Sequence, residues 1–80
     1  MIRLSKHAQE AIHRRHIDPA WVEAAVNSPD RVEPDPWHPE RTRAYKAIAR
    51  SAIACLGLST GPEGDDILVI TAHFDRGAKR

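Results

Sequence analysis

Five histidines lie along a chain of 80 residues, and two of them sit among side chains that move protons and hold phosphate. His73 follows Thr71 by two positions in the run Ile-Leu-Val-Ile-Thr-Ala-His-Phe. In a strand that spacing sets hydroxyl and imidazole side by side on one face, where they can serve a common ligand. Arg43 and Tyr45 repeat the spacing. They pair a guanidinium that grips phosphate with a ring on which a base can stack, a combination suited to single-stranded RNA. Arg41 falls on their face and Lys46 and Arg50 on the other, where charges that keep an edge strand from aggregating explain them equally well.

Near the start of the chain, His7 lies in the first turn of a helix, where free backbone N–H groups attract anions. It either adjoins a phosphate or packs at the rim of the apolar face, and Lys6 beside it is a further cation for phosphate. Leu4, Ala8, Ala11 and Ile12 project over one arc of this helix, His13 and Arg14 fall outside it, and Arg15 falls inside. A guanidinium is almost never buried alone, so Arg15 either clamps phosphate at the lip of a groove or pairs with an acid in residues 18–40. His13-x-x-His16 lacks a second pair at ligand spacing, and no metal or other cofactor is expected. Cys55, the one cysteine, lies in the apolar run Ala-Ile-Ala-Cys-Leu and reads as a packed thiol.

The elements that must position these residues divide at a proline-rich loop, residues 33–40. Ahead of it, residues 2–4 read as a short strand. Ser5 is an N-cap for a helix to about Arg15, and Asp18-Pro19 opens a second helix that ends at Asn27-Ser28-Pro29. Ile17 and Val22 have the spacing of a hydrophobic staple, and Trp21, Val22, Ala25 and Val26 make the second helix's buried face. Behind the loop, residues 42–50, 51–60 and 66–74 are strand-length, and residues 61–65 (Gly-Pro-Glu-Gly-Asp) form the last turn. The expectation is an α+β domain with two N-terminal helices packed on a three- to four-stranded, mainly antiparallel sheet.

With 33 hydrophobic residues, 41% of the chain, there is enough apolar surface for one core, and a multidomain enzyme is excluded. The longest apolar run is the seven residues 52–58, well short of a membrane span, and residues 1–6 lack a signal peptide's apolar stretch, so a cytoplasmic location is expected. Twelve basic and 11 acidic side chains leave a net charge of +1, but successive blocks carry +3 (1–16), −5 (17–40), +4 (41–50), −4 (51–75) and +3 (76–80). A fold that gathered the basic blocks would hold a positive groove in a nearly neutral molecule; ordinary solvated surface is the other reading.

Taken in order, Ser5-Lys6-His7-Ala8, Arg15-His16-Ile17, a second helix closing at Asn27-Ser28-Pro29 and strands ending in Val69-Ile70-Thr71 resemble a known pattern over nearly the whole chain. It is that of a small bacterial domain-of-unknown-function family within the RelE-like ribonuclease toxin superfamily, the group that also holds barnase and the tRNA-cleaving colicin domains. The resemblance implies a RelE/ParE toxin-like fold. His7, Arg15, Ile17 and Thr71 match the family pattern. Ala11 stands where the family's first arginine is expected, His16 where glycine is, and His73 where an aromatic residue is common.

The activity so implied is metal-independent endonucleolytic cleavage of RNA. A base takes the proton of a 2′-hydroxyl, that oxygen attacks the adjacent phosphate, and an acid protonates the leaving 5′-oxygen. The resemblance casts His7 and His73 as the base and acid pair, Arg43 and Arg15 as phosphate stabilisers, and Thr71 as a positioning donor. His7 rises from the helix-covered side and Thr71 from the other, so they converge only at a sheet edge or through twist. A neutralising antitoxin is the expected protein partner, and Trp37 in the proline-rich loop is placed to bury surface in a homodimer. The alternative is a non-catalytic binding protein of the same fold, either a gyrase-poisoning toxin or a degenerate homologue acting through a protein partner. A DNA-binding regulator is disfavoured, because the second helix carries Glu23 and no basic residue.

Overall fold

The computed structural model describes residues 1–48 and 55–75. The chain runs β1 (Ile2–Leu4), α1 (Lys6–Arg14), α2 (Pro19–Asn27), β2 (Arg31–Pro34), β3 (Thr42–Ala47), β4 (Cys55–Glu63) and β5 (Asp66–Asp75). The strands form one five-stranded sheet in the order β1-β5-β4-β3-β2. From β2 to β5 the pairing is an antiparallel meander, and β1 adds to the far edge parallel to β5.

Two parts of the expected architecture are thereby corrected. The sheet is a five-stranded mixed one rather than three- to four-stranded and mainly antiparallel, and the helices are inserted between β1 and β2 rather than leading into the sheet. The class remains a small α+β domain. The overlooked strand is β2, four residues that include two from the proline-rich stretch, Glu33 and Pro34. Pro34 is tolerated because β2 is an edge strand and one of its sides needs no ladder partner. Arg41 precedes β3, and β4 runs on to Glu63, leaving a two-residue turn, Gly64-Asp65. Gly64 there has φ 62°, a conformation that glycine adopts without strain. Arg50, the expected strand start at 51–54 and the basic block 76–80 lie outside the described residues.

Local chemistry sets the helix ends as anticipated. The Ser5 hydroxyl accepts a hydrogen bond from the Ala8 N–H (3.0 Å) and donates one to the Ile70 carbonyl (2.8 Å), so one side chain caps α1 and ties it to β5. The Asp18 carboxylate accepts from the Ala20 N–H at 2.9 Å, with Pro19 in the first turn. Helix α1 ends with His16 at φ 54°, the left-handed position that follows many helices and that glycine fills most easily. Among the described residues no helix is long and apolar enough to cross a membrane.

The core lies between the helices and one face of the sheet. Ala8 and Ile12 of α1, Ile17, and Val22 and Ala25 of α2 pack on Leu56, Leu58, Val69 and Ala72. Trp21 meets Phe74 edge to face with centroids 6.1 Å apart. Leu56, Leu58 and Val69 are the largest fully buried side chains, each contributing about 1.5–3 kcal/mol by its removal from water. Among the described residues, no helix or strand covers the other face of the sheet.

Candidate functional site

Strand register lays out the uncovered face in two rows. Arg31, Tyr45, Gly57 and His73 are neighbours across β2, β3, β4 and β5, and Glu33, Arg43, Ser59 and Thr71 form the next row. Period-two alternation sends these side chains away from the helices, because Ala44, Leu56, Leu58 and Ala72 occupy the intervening positions and face the core. A β-bulge between Ser59 and Thr60 shifts the register just beyond the second row. A cavity of about 360 Å³ opens here, lined by Asp35, Arg43, Tyr45, Ser59, Thr71 and His73 together with Leu58.

Gly57 is the floor between the two rings. A Cβ on it would stand 2.9 Å from Nε2 of His73 and 3.3 Å from Cε1 of Tyr45. The imidazole and the phenol ring thus close over a position that only a hydrogen fits. Tyr45 is buried, and the Arg31 guanidinium lies over its ring with Cζ 4.6 Å from the centroid, fixing the ring from the β2 side.

Asp35 builds the opposite wall. It follows β2 directly, and its Oδ1 accepts the N–H groups of Trp37 (2.8 Å) and His38 (3.0 Å), a local turn that aspartate forms readily. Its Oδ2 faces Nε of Arg43 at 3.6 Å. The Trp37 N–H bond is the main cause that holds the Asp35 carboxyl below the ordinary carboxylate range. Burial opposes it, and the His38 N–H and the Arg43 charge add to it. Arg43 is thus paired at the cavity with its side chain 39% exposed, which leaves donors for an anion.

Four of the eight residues anticipated for the site, Arg43, Tyr45, Thr71 and His73, are brought together in this cavity. The other four are elsewhere. Lys6 and His7 are exposed on α1 and Arg15 at its C-cap, and none of the three lines the cavity. Arg15 forms no ion pair among the described residues, so the expected pairing with an acid in residues 18–40 is not made. Lys46 points to the helix side, donating to the Ser28 carbonyl at 2.8 Å with Oδ1 of Asp30 at 3.8 Å. Ala11 is buried, so the position of the expected family arginine serves packing in this chain.

Sequence reading missed Asp35, Ser59, Gly57 and Arg31. The small side chains alternating with leucines in Cys-Leu-Gly-Leu-Ser were a signal of open space on the second face, and Asp-Pro-Trp-His was a signal of a side-chain-capped turn. A second concavity, about 300 Å³, lies by Val26, Val32 and Ile67 and is mostly apolar.

Residues 4–79 match the family described as Domain of unknown function (DUF4258), and the chain belongs to that family. No curated protein and no solved structure matches it.

Proposed function

For this member of the DUF4258 family we propose a metal-independent endoribonuclease of toxin type that works on the open face of the sheet, and a place for the family among the RelE-like ribonuclease toxins. The single observation that carries the reading is the convergence of an imidazole, a phenol and a guanidinium around Gly57 and Ser59 on a face that no described element covers. His73 and Tyr45 flank the place where a phosphodiester can lie. One takes the proton of the 2′-hydroxyl; its oxygen then bonds to phosphorus as the bond to the 5′-oxygen breaks, and the other gives that leaving oxygen its proton. Arg43 offsets the charge of the dianionic transition state, while the Ser59 and Thr71 hydroxyls donate to the non-bridging oxygens. Asp35 holds Arg43 in place. The products are a 2′,3′-cyclic phosphate and a 5′-hydroxyl. His73 works with Tyr45 here rather than with His7, and Lys6, His7, Arg15 and Lys46 take part in no step.

Incubation of purified protein with bulk cellular RNA in EDTA tests this directly. Wild type should leave cyclic phosphate ends, and His73→Ala and Arg43→Ala, each verified as folded by circular dichroism, should slow cleavage by about 10²-fold or more. RNA left intact by wild type, with and without ribosomes, would end the reading.

The exposure of Lys6, His7 and Arg15, none of which lines the cavity, favours a second reading, a non-catalytic toxin homologue that binds a protein partner through these exposed cations. Under it, His73→Ala leaves growth arrest unchanged. Either reading calls for a neutralising antitoxin, which on the first would cover the open face with acidic groups.

A further inference from the structure

Trp37 is 79% exposed on the loop between β2 and β3. An isolated exposed apolar side chain needs no explanation, but this one differs in how its loop is held and where. The Asp35 carboxylate that lines the cavity accepts the Trp37 and His38 N–H groups, the Asp35 N–H donates to the Arg41 carbonyl at 3.1 Å, and the Arg41 N–H donates to the His38 carbonyl at 2.8 Å. Pro34, Pro36 and Pro39 restrict the same stretch. An indole is therefore presented to solvent on a pre-ordered loop whose anchor is also the wall of the site and the partner of Arg43. A loop whose backbone is already held loses little freedom when a ligand stacks on the ring that it carries.

We propose that Trp37 is a base-stacking platform at the edge of the cavity and that the substrate class is unpaired RNA. One nucleobase lies on the indole while its phosphate meets Arg43. This rests on the open-face reading above and deepens it: a duplex, whose bases are already stacked on one another, offers no free base face to Trp37. The subsite is sequence-tolerant, since every base has a π-face.

Binding of a 2′-fluoro RNA oligonucleotide, which lacks the attacking hydroxyl and stays intact, tests the platform apart from the chemistry. A Trp21→Phe background makes Trp37 the one tryptophan. Its fluorescence should be quenched by the single strand and not by the same sequence as a duplex. Trp37→Ala should weaken single-strand binding roughly 5- to 150-fold, Trp37→Phe should restore most of it, and an abasic strand should bind wild type no better than an intact strand binds Trp37→Ala. If Arg43→Ala abolishes binding while Trp37→Ala leaves it unchanged, the platform is wrong and the open-face site stands. A Trp37→Ala variant that changes only self-association in sedimentation, with RNA affinity intact, assigns the indole to a homodimer and overturns the platform. If wild type binds no form of the RNA, both readings fall together.

Discussion

A single added methyl group separates packing from function at Gly57. A Cβ there would come within 2.9 Å of Nε2 of His73 and 3.0 Å of its Cε1, both at the far end of a side chain that can turn away. Gly57→Ala should therefore cost the fold no more than about 1–3 kcal/mol while driving the imidazole off the cavity. Cleavage should fall at least tenfold with the circular dichroism spectrum unchanged; full activity in this variant would show that the ring's position over Gly57 is irrelevant. Half of the site was legible residue by residue, because Arg43 with Tyr45 and Thr71 with His73 obey a period that needs only the strand assignment. The remainder depends on register. Nothing local to Gly57 or Ser59 says that His73 and Thr71 will stand opposite them, and the face on which His7 emerges depends on how α1 docks.

At the scale of elements, α1 is held to the sheet through its N-cap as well as its apolar stripe. Ser5 accepts from Ala8, donates to Ile70, and gives its backbone N–H to the Val69 carbonyl at 3.0 Å. Ser5→Ala removes both side-chain bonds and should lower stability by about 1–2 kcal/mol, read as a shift of the urea midpoint. Because β5 carries Thr71 and His73 on its far face, the same variant should lower RNA affinity only through loss of folded protein; an unchanged midpoint would mean that the clip carries no weight. Caps and proline positions were readable because they are local chemistry. The strand β2 was not, since Arg-Val-Glu-Pro is too short and too polar to stand out and is a strand only because β3 pairs with it. The place of β1 is equally non-local: three residues join β5 in parallel from the other end of the chain.

At the scale of the whole molecule, ion pairs among the described residues join the alternating charge blocks at three places. Asp30 and Asp35 from the acidic block 17–40 face Lys46 and Arg43, Asp66 faces Arg3, and Glu33 pairs with Arg31 inside its own block. Asp66 is held below the ordinary carboxylate range first by the 2.8 Å bond from Arg3 and then by the chain's terminal ammonium, as Asp35 is by its turn. A carboxyl whose folded value is depressed contributes stability above its unfolded value and loses it as pH falls through the folded one. The urea midpoint should hold level near neutral pH and drop below about pH 4, and Asp66→Asn should flatten that acid limb; an identical limb in the variant would discount the Arg3 pair. On the proposed reading, function resides on the uncovered sheet face and not on the exposed cations of α1. Amide chemical-shift mapping of the protein titrated with intact 2′-fluoro single-stranded RNA tests it most directly. Perturbations centred on Arg43, Gly57, Ser59, Thr71 and His73 are the result expected; perturbations confined to Lys6, His7 and Arg15, with the open face silent, would contradict it.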